Sequence, residues 1–195
     1  MDNETVASGK EISMKKAIKA PFTVTFLAAL LLVAAFFMPL KTATADYRET
    51  LLEIADEFNI PEIEMTNKAA VNVSMFEFVR AYQALVGSVD KTWGAIGTAF
   101  FVTVGVLSVI TLIFTLCKKP VAVLIFDILT FGAYSLVAAA CRELSNSYYK
   151  NGAAYYIYYA ALAVVLVGAI WMLVKKVKTK KIMKAAQMAS SSVQN

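Results

Sequence analysis

The sequence of 195 residues contains no histidine, the commonest general acid or base and the commonest metal ligand in proteins. It has only two cysteines, Cys117 and Cys141, and their spacing matches neither a CxxC pair nor a zinc-binding pattern. These absences exclude a zinc site and a small disulfide-stabilised secreted domain. The sequence also lacks a glycine-rich phosphate-binding loop and a recognisable nucleophile–base pair. We therefore expect no metal, no cofactor and no enzymatic activity.

Charged residues are scarce as well. They make up 17% of the chain, against about 25% in an average soluble domain, and 59% of the residues are hydrophobic. A membrane-spanning helix needs about 20 mostly apolar residues. Four segments without lysine or arginine satisfy this requirement, namely 21–40, 95–117, 121–141 and 153–174. The sequence thus predicts an all-α integral membrane protein in which four transmembrane helices form an antiparallel bundle.

The basic residues are concentrated on one side of these predicted spans. Segments 1–20, 118–119 and 175–195 hold 12 of the 19 lysines and arginines, although the outer segments 41–94 and 142–152 are longer in total. Cytoplasmic segments of membrane proteins carry such an excess of lysine and arginine. We therefore predict a multi-pass protein of the cell membrane, with a cytoplasmic N-terminal segment and a basic cytoplasmic C-terminal tail.

A second interpretation of the first apolar segment remains open. Lys15, Lys16 and Lys19 precede it, and Ala43-Thr44-Ala45 has the small-x-small pattern of a signal-peptidase site. Cleavage there would leave three spans and a mature chain that begins at Asp46. The apolar segment is longer than the roughly 7–15 residues typical of a signal peptide, which favours an intact first helix.

The long outer segment 41–94 has the pattern of a folded unit. Asp46 with Glu49, and Ser74 with Glu77, have the spacing of a helix-capping box. Apolar residues at helical spacing follow each box: Leu51, Ile54, Ala55 and Phe58, and then Met75, Phe78, Val79, Tyr82, Leu85 and Val86. We predict two amphipathic helices here, which pack on the bundle, lie in the headgroup layer or dock a partner.

Aromatic and basic residues mark the ends of the predicted spans. Tyrosine and tryptophan gather at membrane interfaces because their rings are apolar while their polar atoms stay hydrated. The residues predicted at these interfaces are Trp93, Tyr148, Tyr149, Tyr155, Tyr156 and Trp171. Six lysines follow the last span and are predicted to contact anionic lipid headgroups: Lys175, Lys176, Lys178, Lys180, Lys181 and Lys184. No aromatic residue is interleaved with them, so nucleic-acid binding is not expected.

Asp127 is the only formal charge within the four predicted spans. It lies seven residues after Pro120, which corresponds to about 10 Å of helix. A charged carboxylate at that depth would cost at least about 2.5 kcal/mol if it faced lipid, so the side chain is expected to face other helices. Thr130 and Tyr134 lie on the same helical face.

A matching polar stripe is expected on the preceding span. Ser108, Thr111 and Thr115 occur there at helical spacing, and Thr111 falls at the depth of Asp127. Because the connection between the two spans is very short, they should be antiparallel neighbours. We therefore predict a polar seam, which consists of Ser108, Thr111, Thr115, Asp127, Thr130 and Tyr134.

Two roles for the seam remain open. With no lysine or arginine at that depth, Asp127 is expected in its neutral form, hydrogen-bonded to a hydroxyl group. In the first role the seam holds neighbouring helices together by hydrogen bonds. In the second role Asp127 takes up and releases a proton or a small cation.

These features favour a non-enzymatic subunit or accessory protein of a membrane assembly, which binds a protein partner or forms a homo-oligomer. The alternative is an oligomeric channel, pore-former or transporter component that uses Asp127 as a proton or cation site. The order of spans, with a long first outer loop and a short second one, is similar to the plan of claudin-like four-helix proteins. Segment 41–94 lacks the cysteine pair of the claudin first loop, so no residue roles are carried over.

Overall fold

The structure is a computed structural model that describes residues 3–53, 65–88, 91–143 and 148–191, with the side chains of the first helix described from Lys19 onward. Most of these residues are helical. The helices are α1 (Asn3–Ala35), α2 (Ala45–Glu53), α3 (Asn67–Ala70), α4 (Met75–Ser88), α5 (Lys91–Leu116), α6 (Pro120–Glu143) and α7 (Ala153–Ser191). The described residues also form three strands: β1 (Pro39–Ala43), β2 (Asn72–Ser74) and β3 (Tyr149–Asn151).

Three of the helices are long and apolar enough to cross a membrane. They cover Lys91–Leu116 in α5, Pro120–Arg142 in α6 and Ala153–Ala185 in α7. A shorter apolar stretch, Lys19–Ala35, forms the last part of α1. The predicted first span extends beyond this helix, because Pro39 and Leu40 belong to β1. Helix α1 packs against α5 and α7, and α6 packs against the same two helices.

The side chains of these helices are distributed as in a membrane protein. Ile128, Leu136 and Val167 are each at least 60% exposed, whereas several hydroxyl-bearing side chains are fully buried, among them Thr111 and Thr130. Water would disfavour this arrangement, because large apolar patches are rarely left in contact with it. Lipid favours it, because polar groups must then find their partners inside the protein.

The turn between α5 and α6 reverses the chain within three residues. Lys118 has a φ of 54°, and the amides of Lys118 and Lys119 donate to the carbonyls of Thr115 and Phe114 at 2.9 and 3.1 Å. This is a Schellman motif, in which a residue in the left-handed conformation ends the helix. Pro120 then begins α6, at a position where a missing N–H removes no helical hydrogen bond. The turn makes α5 and α6 neighbours, which confirms that part of the sequence prediction.

The strands form a small sheet that the sequence analysis did not predict. Strand β1 lies in the middle, with β2 and β3 antiparallel on either side. The all-α prediction is therefore wrong for this region, although the fold is mostly helical. Strands of three to five residues are too short to produce a recognisable alternation of apolar and polar residues. The sheet joins two connections between long helices, since β1 and β2 lie between α1 and α5 and β3 lies between α6 and α7.

The connection between α1 and α5 also contains the amphipathic helices. Helix α4 begins with the predicted capping box, in which the amide of Ser74 donates to the carboxylate of Glu77 and the amide of Glu77 donates to Ser74 Oγ. Helix α2 begins at Ala45, and the amide of Arg48 donates to the carbonyl of Thr44. Asp46 therefore lies in the first turn of α2. The prediction that it forms the cap of this helix is wrong. The predicted continuation of this helix through residues 54–58 lies outside the described residues.

We call residues 39–53, 65–88 and 148–152 the outer module, because the sequence predicts that this end of the bundle faces outward. Part of it has a buried apolar cluster of its own, formed by Ala43, Leu51, Met65, Ala70 and Val71. The module is fixed to the start of α7, because the amide of Gly152 donates to the carbonyl of Leu40 at 2.8 Å. A Cβ atom at position 152 would overlap the carbonyl oxygen of Pro39, so only glycine permits this close approach.

The contact between α1 and α7 depends on another glycine. A Cβ atom at Gly168 would overlap Thr25 Oγ1. Thr25 is fully buried, and its hydroxyl donates to the carbonyl of Pro21 at 2.7 Å, so the side chain has little freedom to move away. We predict that Gly168→Ala lowers the free energy of unfolding by about 1–3 kcal/mol, because the two helices must separate.

Gly132 of α6 provides the matched control. No atom lies within 4 Å of the position that a Cβ would take there. Gly132→Ala should therefore be neutral or slightly stabilising, since alanine favours the helix. Thermal unfolding of the purified variants in detergent measures both effects, and equal midpoints for the two variants would contradict the close packing of α1 on α7.

Candidate functional site

The structure buries every residue of the polar seam. Asp127 is 2% exposed and the other five members are fully buried. Helix α5 contributes Ser108, Thr111 and Thr115, and α6 contributes Asp127, Thr130 and Tyr134. Each set lies on one face of its helix because its members are three or four residues apart. The faces with these residues are directed away from the exposed apolar surface.

Sequence reasoning missed the buried positions of two polar residues in the bundle, Tyr158 and Thr25. Tyr158 of α7 shares a hydrogen bond with Ser108 Oγ, and its ring stacks on that of Tyr134 with 4.3 Å between centroids. Thr25 of α1 is buried against Gly168. Tyr158 lies among several tyrosines near the start of α7. In the sequence alone, a position at the membrane interface accounted for this tyrosine as well as a position in the bundle interior.

A signal for the buried position of Tyr158 was present in the sequence. Ala154, Ala161 and Ala169 are buried on α7 together with Tyr158. Their spacing of three, four or eight residues places them on one helical face, and small residues of this kind mark contacts between membrane helices. The small-residue stripe therefore identifies the face of α7 that packs inward.

The threonine hydroxyl groups of the seam donate along their own helices, whereas the Tyr134 hydroxyl donates to the carbonyl of Tyr155 on α7 at 3.1 Å. Thr111 and Thr115 each donate to the carbonyl four residues earlier at 2.8 Å, and Thr130 does so at 2.6 Å. Ser108 donates in the same way or to Tyr158. A threonine hydroxyl used in this manner still has lone pairs that accept a hydrogen bond, but it has no second proton to donate.

Asp127 is left without such a donor. Its Oδ1 atom is buried and has no hydrogen-bond partner among the described residues. An ionised carboxylate only accepts hydrogen bonds, whereas a protonated one can donate to a hydroxyl oxygen. Because no donor in the described part of the chain reaches Oδ1, burial favours the neutral acid over its anion. The predicted spans also contain no lysine or arginine that could pair with the anion.

Four of the predicted interface aromatics are exposed: Trp93, Tyr148, Tyr156 and Trp171. Tyr155 is half-buried and packs edge-on against Tyr156 at 5.2 Å between centroids. Tyr149 is also half-buried, and its hydroxyl donates to the carbonyl of Ala70 at 2.9 Å. Burial, and next the neighbouring Tyr47, raises the pKa of Tyr149 to about 12. Tyr149 thus holds the outer module together in addition to any contact with lipid.

A second buried charged residue lies in the outer module. Lys41 of β1 is 2% exposed, and its Nζ donates to Asn151 Oδ1 of β3 at 2.8 Å. Removal from water lowers the pKa of Lys41, while the nearby Cys141 side chain acts in the opposite direction. In the sequence, Lys41 contributes only to the charge balance, and no pattern around it predicts its burial. Its hydrogen bond holds β1 against β3 at the outer end of the bundle.

The energetic role of Asp127 can be measured by substitution. We expect Asp127→Leu to leave the free energy of unfolding unchanged or to raise it, because no hydrogen bond is lost and an unpartnered buried polar group is removed. Asp127→Asn is the polar control of similar size, and it should be no more stable than the wild type. Thermal unfolding in detergent gives both values.

A decrease of more than about 4 °C in the unfolding midpoint of Asp127→Leu would contradict this expectation, since that corresponds to roughly 1 kcal/mol or more for a chain of this size. It would show that Asp127 holds the helices together.

The site as a whole offers one carboxyl group, several hydroxyl acceptors and a stacked pair of tyrosines inside an apolar shell. A buried carboxyl group can hold a proton or a desolvated cation. Buried polar side chains can also fix the packing of helices. No protein family, characterised protein or solved structure shows a significant match to the chain. The function of the chain must therefore be inferred from its own residues.

Proposed function

We propose that the protein is a non-enzymatic subunit or accessory protein of a cell-membrane assembly. Its membrane part is an antiparallel bundle of four transmembrane helices, α1, α5, α6 and α7. Both termini and the α5–α6 turn lie in the cytoplasm, and the outer module lies on the opposite side. The excess of lysine and arginine at one end of the helices supports this orientation, and the contacts of α1 with α5 and α7 support a fourth span.

The proposal retains α1 in the mature protein. Ala29, Leu32 and Ala35 are fully buried and belong to the same apolar cluster as buried residues of α5, α6 and α7. Cleavage after Ala45 would remove these residues and also β1, the central strand of the sheet. Strands β2 and β3 would then have no partner in that sheet.

The proposal depends mainly on the structure of the outer module. Its sheet joins segments about 110 residues apart, as the hydrogen bond between Lys41 and Asn151 shows. A unit fixed in this way presents a constant surface to a second protein. Large side chains are exposed on it, including Leu52 at 53% and Tyr148 at 55%. Aromatic and large apolar residues of this kind are typical of the centre of protein interfaces.

A second candidate function is favoured by one specific observation, the buried Oδ1 of Asp127 without a partner. In this alternative Asp127 takes up and releases a proton or small cation as part of a channel or transporter component. The seam residues are packed between the helices of one chain, so several copies would have to assemble to surround a conducting path.

The two candidates differ in what the exposed surface of the outer module does. We predict that the full-length protein, purified in mild detergent from its native membrane, forms a complex of defined stoichiometry. Leu52→Glu combined with Tyr148→Glu should reduce recovery of the bound partner at least about tenfold, because charges would enter an apolar interface. Thr50→Glu combined with Asn72→Glu adds the same charge at exposed polar positions and is the control that should retain the partner.

Equal recovery of partner for the two double variants would contradict the proposal. The second candidate function predicts that the protein alone conducts protons or cations in liposomes. Proton or cation flux that Asp127→Asn abolishes would establish conduction by the chain itself, and would overturn the assignment as an accessory subunit.

A further inference from the structure

A pocket lies beside the α5–α6 turn, at the end of the bundle that we propose is cytoplasmic. Its volume is about 330 Å³. Three of the lining residues are lysines, Lys118 from the turn and Lys176 and Lys180 from α7, while Pro120 and Met172 provide apolar surface. The pocket therefore combines a basic rim with an apolar wall.

The two lysines of α7 are directed into the pocket by the helix itself. Helix α7 continues to Ser191, and Met172, Lys176 and Lys180 are four residues apart, so they lie on one face. Lysines at this spacing repel each other along a helix. A negatively charged group between them would remove that repulsion. Lys178 and Lys181 belong to the same basic segment but do not line the pocket.

Lys118 supplies an independent observation. Its φ of 54° is a conformation in which glycine is unstrained and other residues are disfavoured. Glycine would form the same Schellman motif at lower cost, so the turn itself gives no reason for a lysine. The Nζ atom lies 5.1 Å from the centroid of the Phe22 ring of α1, which holds the ammonium group at this end of the bundle. A strained residue with a charged side chain in a pocket points to binding.

We propose that this pocket binds the phosphate of an anionic phospholipid headgroup. Lys176 and Lys180 contact the phosphate oxygens, and the ammonium group of Lys118, held beside Phe22, adds positive charge at the rim. Pro120 and Met172 contact the glycerol end of the lipid. Three ammonium groups favour a headgroup with two negative charges, such as that of cardiolipin. The apolar wall favours a lipid over a free phosphate ion, which has no apolar part.

The inference depends on the proposed orientation of the bundle, because it places the pocket at a membrane surface. It also narrows the earlier prediction for the basic tail. Of the six tail lysines predicted to contact headgroups, only Lys176 and Lys180 line the pocket, and Lys118 joins them from a different part of the chain.

The test is a titration of the purified, delipidated full-length chain with cardiolipin, followed by native mass spectrometry. We expect one lipid to bind tightly to each chain. Lys176→Gln with Lys180→Gln should weaken this binding at least about tenfold. Lys178→Gln with Lys181→Gln removes the same charge outside the pocket and should weaken it less than about twofold. Inorganic phosphate at the same concentration should not displace the lipid.

The variant Lys118→Gly distinguishes an effect on lipid binding from an effect on stability. Glycine relieves the strain at this position, so the unfolding midpoint should be unchanged or higher while the lipid affinity falls several-fold. An affinity equal to that of the wild type would remove Lys118 from the site.

Three results would overturn the proposal. Equal weakening by the two double variants would mean a diffuse attraction between the tail and lipid. Displacement of the lipid by inorganic phosphate would mean a site for a free anion. Absence of a tightly bound lipid on the wild type would mean no site at all. Because the measurement uses the chain without any partner, failure of the accessory-subunit proposal would leave its result unchanged.

Discussion

The constraint on which the rest of the structure depends is that lipid supplies no hydrogen bonds. Every polar group of a membrane-spanning helix must then find its partner inside the protein. The buried threonines meet this condition by donating to carbonyls of their own helices, at distances such as 2.8 Å for Thr111 and 2.7 Å for Thr25. The apolar side chains are consequently free to face outward, as Ile128 and Val167 do. Two buried atoms of these helices depart from this condition, Thr98 Oγ1 and Asp127 Oδ1, because both lack a partner among the described residues.

The two ends of the bundle are built differently. At the outer end, β1 crosses between β2 and β3, and the buried Lys41 is bonded to Asn151, so the connections between the helices form one folded unit. At the inner end, the chain reverses in three residues at Lys118 and exposes a basic surface. The surface of the outer module is where we propose that a protein partner binds. A basic inner surface suits the anionic headgroups of lipid.

The sequence predicts those features that depend on local spacing. Apolar runs indicate α5, α6 and α7, and the three- and four-residue spacing around Thr111 and Asp127 identifies side chains that are buried in the structure. The sheet was missed because its pairs are distant in sequence and its strands are very short. Spacing likewise gives no information on where a hydroxyl group donates. The left-handed conformation of Lys118 was also unpredictable, because that position usually requires glycine.

The threading of the chain across the membrane is tested most directly by thiol labelling. Cys117 is exposed beside the α5–α6 turn, whereas Cys141 is buried and should not react. In sealed right-side-out vesicles, a membrane-impermeant maleimide should label Cys117 only after permeabilisation. Lys150→Cys in a Cys117→Ser background, with the new thiol in β3 of the outer module, should be labelled at once. Labelling of both positions from the same side would contradict the proposed membrane bundle.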